Sequence, residues 1–131
     1  MRRLVNIFAR LALGITFLSA VADRFGLWGK FGTPHVAWGN FARFTAYTAR
    51  LNWFLPAASI PALAWVATAL EVILGIALIF GIYLRYAAMA TGILLLLFGL
   101  AMVFGTGPKS PLDASVFSAS AAAFLLALNR P

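Results

Sequence analysis

The stretch PALAWVATALEVILGIALIFGI, from Pro61 to Ile82, decides the fold. A hydrocarbon core of about 30 Å takes about 20 helical residues to cross, and this run is long enough. Its apolar residues are continuous and do not alternate, so it reads as a membrane helix and not as a barrel strand. One ionisable residue interrupts it, Glu71. A carboxylate at that depth is costly to insert and persists only if it faces a partner or a cavity.

Three further segments have the same character: Leu4 to Ala22, Tyr86 to Phe104 and Pro111 to Leu128, none with an acid in its apolar interior except Asp113 near the start of the last. The composition agrees, with 63% hydrophobic and 10% charged residues and a mean hydropathy of +0.97. Soluble domains run nearer roughly 45 to 50% apolar and 25% charged. The expected architecture is an all-α integral membrane four-helix bundle, one domain over residues 1–131, with an amphipathic interfacial or re-entrant helix between the first and second spans.

The chain has no cysteine, which excludes thiol-disulfide exchange, iron-sulfur ligation and thiolate zinc sites built from it alone. Its single histidine, His35, excludes a bis-histidine haem and reads as a solvated interfacial side chain in a turn-like Gly32-Thr33-Pro34-His35, with no second metal ligand near it. No metal site is expected. The net charge of +7 comes from arginines and lysines at the ends of apolar segments, which points to lipid headgroups and not to nucleic acid. The N-terminal Met1-Arg2-Arg3 with Ala20-Val21-Ala22 mimics a secretory signal, but Arg10 carries charge too close to the apolar core, and a retained first helix is expected.

With the N-terminus inside, Arg2, Arg3, Arg85 and Arg130 fall on one side and Arg24, Lys30, Arg43, Arg50 and Lys109 on the other, so charge alone gives no orientation. The connection from Gly26 to Ser59 is rich in interfacial aromatics. Asn40 is a plausible N-cap for a helix from Phe41 to about Trp53. Phe41, Phe44, Thr48 and Leu51 share one face of it, and Arg43 and Arg50 another. Either it is a passive anchor in the headgroup plane, or Trp38, Phe41, Phe44, Tyr47 and Trp53 form a lid over an intramembrane cavity.

Ser110-Pro111-Leu112-Asp113 fits a capping box that opens the fourth helix. Asp113 is then most simply a cap and dipole partner, the other reading being a functional acid facing Lys109 and the outer vestibule. Ala114, Ser118 and Ala122 on the fourth helix, and Gly92 and Gly99 on the third, are small residues at spacings that let helices approach.

At 100° per residue, Asn6, Arg10 and Arg24 form one polar stripe on the first helix, expected to face the bundle interior, while Asp23 points away toward the outer surface. Counted from the same membrane face, Arg10 lies about 9 Å deep and Glu71 about 16 Å. A contact between Arg10 and Glu71 is therefore expected. Glu71 then belongs either to a buried structural pair, or to a proton-exchanging or ligand-binding site. The candidate binding residues are Glu71, Arg10, Asn6 and Arg24. A quinone or other isoprenoid would suit such a pocket, since its carbonyl needs one polar contact while its tail stays in lipid.

Several stretches resemble the DoxX family of small bacterial membrane proteins: Arg10-Leu11-Ala12-Leu13-Gly14, Ala22-Asp23-Arg24-Phe25-Gly26, Trp38-Gly39-Asn40-Phe41, Asn52-Trp53-Phe54-Leu55-Pro56, Ala67-Thr68-Ala69-Leu70-Glu71 with Gly75 and Gly81, and Pro111 to Ala121. The resemblance implies a multi-pass protein of the bacterial inner membrane with both termini inside. It also implies a tie to redox systems, since one relative is a subunit of a thiosulfate:quinone oxidoreductase and others accompany oxidant-defence complexes. Glu71 and Arg10 match positions typical of the family. The expected role is an accessory subunit beside an oxidoreductase partner, with no intrinsic cofactor but a quinone contact. The alternatives are a stand-alone binder or converter of a lipophilic small molecule and a purely structural membrane protein. A homo-oligomer is compatible with each, and no enzyme class is assigned.

Overall fold

Glycine decides where the first two spans touch. In the computed structural model, which describes residues 1–129, a Cβ on Gly14 would lie 2.8 Å from the carbonyl oxygen of Gly75, and one on Gly75 3.1 Å from that of Gly14. The two backbones therefore meet there, as small residues allow in membranes. They belong to α1 (Arg2–Arg24) and α3 (Ile60–Phe80), which run antiparallel. Gly81, in the left-handed region at φ 71°, ends α3, and a tight turn through Tyr83 opens α4 (Leu84–Thr106). On α4 the expected Gly92 and Gly99 receive the rings of Phe124 and Phe117 of α6 (Val116–Leu128). The two helix pairs close on a shared core of Leu13, Phe17, Leu74, Leu78, Ala88 and Leu126.

All described residues outside turns and loops are helical. Three helices are long and apolar enough to cross a membrane: α1, the stretch Ala57–Phe80 that contains α3, and α4. The fourth span differs from expectation. It is broken into α5 (Lys109–Asp113) and α6, because Ser115 takes up a left-handed φ of 57°. With 13 residues, α6 covers only about 20 Å. Ser110 caps nothing; Asp113 instead meets Lys109 at 2.6 Å in an exposed i,i+4 pair. The small residues Ala114, Ser118 and Ala122 are exposed, and α6 turns Ser120, Ala123 and Ala127 inward instead.

Asn40 does cap α2 (Phe41–Leu51), its side-chain oxygen accepting from the Arg43 amide at 2.9 Å. Phe44, Thr48 and Leu51 are buried against α3 and α4, while Arg43 and Arg50 are exposed. Asn129 donates to Asn6 at 2.7 Å, so the start of α1 and the end of α6 lie at one end of the bundle and α2 at the other. Arg130, counted above among the inner charges, lies outside the described residues.

Candidate functional site

Glu71 is buried and forms an ion pair with Arg24, whose side chain is likewise buried. Arg24 is the last residue of α1. Its Nη1 also donates to the Thr68 hydroxyl at 3.0 Å, and that hydroxyl donates to the Ala64 carbonyl at 2.9 Å. Thr68 and Glu71 are one turn apart, so α3 offers a hydroxyl and a carboxylate on one face. Two rings cover the guanidinium: its carbon lies 3.6 Å from the centre of the Phe44 ring and 5.3 Å from that of Trp38. In an apolar setting such a cation–aromatic contact counts for more than at an exposed site. Among the described residues, Arg24 Nε finds no hydrogen-bond partner.

The partner of Glu71 is therefore Arg24 and not Arg10. Arg10 instead donates from Nε to the Leu78 carbonyl at 3.0 Å and from Nη2 to the Ile79 carbonyl at 3.1 Å, in the last turn of α3. The reason is geometric. The antiparallel register at Gly14 and Gly75 sets Glu71 beside Leu18, about 12 Å along the axis from Arg10 and about 9 Å from Arg24. Side chains on a helix lean toward its N-terminus, so Arg24 leans back toward Glu71 and Arg10 leans away. The polar stripe itself does face other helices, with Asn6 reaching Asn129.

Asp23 was expected at the outer surface and is buried instead. Its carboxylate accepts the amides of Ala37, Trp38 and Gly39 at 2.8, 3.3 and 3.0 Å. Those bonds tie the connection down where Trp38 covers Arg24. Neither Asp23 nor Thr68 is among the candidate binding residues read from the sequence. Thr68 had a signal, its position one turn before Glu71; the partners of Asp23 are loop amides, which no side-chain pattern announces.

The aromatic candidates separate. Trp38 and Phe44 cover Arg24 and meet edge to face at 5.2 Å, with Tyr47 against Trp38 at 6.1 Å. Phe41 turns to α3, stacking on Trp65 at 4.1 Å and on Phe25 at 5.6 Å. Trp53 is exposed and contacts Phe54. His35 is exposed and borders an open cleft of about 540 Å³ with Asp23, Trp28 and Trp38. A second open cleft of about 500 Å³ lies between Arg43 and Arg50. Glu71 lines neither. Among the described residues no three His, Cys, Asp or Glu side chains cluster as metal ligands would.

The family model described as DoxX matches residues 5–104, well over half of the chain, with most of α1, all of α2 and α3 and most of α4. The stretch from Pro111 to Ala121 lies outside that match. No curated protein and no solved structure matches.

Proposed function

The chain belongs to the DoxX family, and we propose that it serves in the bacterial inner membrane as an accessory subunit of a quinone-linked or oxidant-defence redox system, contacting a quinone at the Arg24–Glu71 pair. The observation that carries this reading is the unbonded Arg24 Nε beside a buried carboxylate, in the one buried ion pair among the described residues. A free N–H of that kind is a donor for a quinone carbonyl, and Glu71 is an acceptor for a quinol hydroxyl, while the isoprenoid tail stays among lipid-facing side chains. Electron transfer belongs to the partner oxidoreductase. Phe44 and Trp38 act as the cover, and α2 with its preceding loop shifts to admit the head group.

A stand-alone binder of a lipophilic small molecule is the second reading, favoured by the fact that α1, α2, α3 and the loop before α2, all of this one chain, supply every residue of the centre. Native mass spectrometry of gently extracted wild type beside Glu71→Gln tests both. The expected result is a quinone-mass adduct that is lost in the variant, together with a copurifying oxidoreductase subunit. An adduct without a partner selects the stand-alone reading. No adduct in either protein makes the pair purely structural and removes the quinone contact.

A further inference from the structure

Three acids serve the whole chain, and each is engaged: Asp23 by three loop amides, Glu71 by Arg24 and Asp113 by Lys109. Arg43 and Arg50 are exposed on α2, and neither is ion-paired among the described residues. They are two turns apart and so point the same way. The cleft of about 500 Å³ between them is walled by Phe31, Trp38 and Tyr47 and contains no carboxylate. The guanidinium carbon of Arg43 sits over the Phe31 ring, 3.6 Å from its centre, which holds the arginine in place. Burial pushes the Tyr47 phenol above its ordinary pKa against the opposite pull of Arg50, so at neutral pH it is an uncharged O–H donor.

Guanidiniums are suited to phosphate oxygens, which they meet with paired N–H groups. Aromatic side chains interleaved with arginine on an exposed face are the composition of the membrane–water boundary, and exposed arginines cannot rest in hydrocarbon. We propose that the α2 face bearing Arg43 and Arg50 is a binding cleft for the phosphate of an anionic amphiphile, with Phe31, Trp38 and Tyr47 packing against the part of the molecule next to the phosphate. The occupant brings negative charge to two arginines that face no Asp or Glu among the described residues. It also bears on the cover of Arg24, because Trp38 belongs both to the cleft wall and to that cover.

The test uses the full chain in neutral detergent, titrated with phosphatidylglycerol, phosphatidylcholine or soluble glycerol phosphate, and read by native mass spectrometry and tryptophan fluorescence. Phosphatidylglycerol should bind wild type and bind Arg43→Gln/Arg50→Gln on the order of 30-fold more weakly, the loss for two surface arginines facing an anionic headgroup. Phosphatidylcholine should bind poorly. Saturation by glycerol phosphate would identify a free phosphate ester as a sufficient ligand, whereas binding of the lipid alone would identify a lipid headgroup. Arg85→Gln, an exposed arginine at the opposite end of the bundle, should bind as wild type. Equal binding of the two lipids, unchanged binding in a helical double variant, or an equal loss in Arg85→Gln would each overturn the proposal.

Discussion

Arg10 and Arg24 leave the same helix for the same neighbour and meet different chemistry. Arg24 is almost wholly buried, neutralised by Glu71 and roofed by two aromatic rings. Arg10 is only partly buried and is satisfied by two carbonyls at the C-terminal end of α3, where the helix dipole is negative. The first arrangement places two full charges in an apolar setting, where each depends on the other. The second joins a charge to partial charges that exist anyway. A buried arginine thus creates a mutual dependence that a helix-end arginine does not.

The largest effect should come from separating the mutually dependent charges. Arg24→Met leaves the Glu71 carboxyl without its counter-ion, a loss that for buried pairs costs about 3–5 kcal/mol. Thermal unfolding in detergent should fall well below wild type. Adding Glu71→Leu should recover most of that loss, since replacing both members of a buried pair by apolar groups is often neutral. If the double variant were as unstable as Arg24→Met, the deficit would lie in lost packing of Phe44 and Trp38 and not in stranded charge.

That contrast was only half legible in the sequence. Pro61 to Ile82 reads as a span by length and hydropathy alone, and Glu71 is conspicuous because insertion penalises it. Helical phase put Asn6, Arg10 and Arg24 on one stripe; Arg10 and Arg24 reach α3, and Asn6 reaches Asn129 at the end of α6. Choosing between Arg10 and Arg24 needed two things that phase does not contain: the register fixed by Gly14 against Gly75, and the lean of side chains toward the helix N-terminus. The break before α6 was hidden for a different reason. A left-handed residue is usually announced by glycine, and here it is Ser115. Asn40 was readable because a cap is a local interaction spanning three residues.

Arg10→Met should cost less than Arg24→Met. It removes two charge-assisted hydrogen bonds but strands no opposite charge, and Arg10 is part exposed, so a loss of about 1–3 kcal/mol is expected. The same unfolding measurement ranks the two variants. Equal losses would mean that the Leu78 and Ile79 carbonyls are left as badly unsatisfied as a buried carboxylate, and the contrast between the two arginines would fail.

The smallest effect tests the roof over the buried arginine without touching any charge. Asn40→Ala removes the side-chain oxygen that accepts from the Arg43 amide at 2.9 Å, and loss of an N-cap of this kind costs about 1 kcal/mol. Asn40→Ser keeps an acceptor and should be close to wild type. Because α2 carries Phe44, fraying its first turn loosens the ring that lies 3.6 Å from the Arg24 guanidinium carbon. Amide hydrogen exchange should therefore rise over residues 40–44 in Asn40→Ala while the last turn of α3, held by Arg10, keeps its protection. A rise of equal size at both places would mean that the two arginines share one cooperative unit, whereas a rise confined to α2 would separate the aromatic roof from the helix-end bonds.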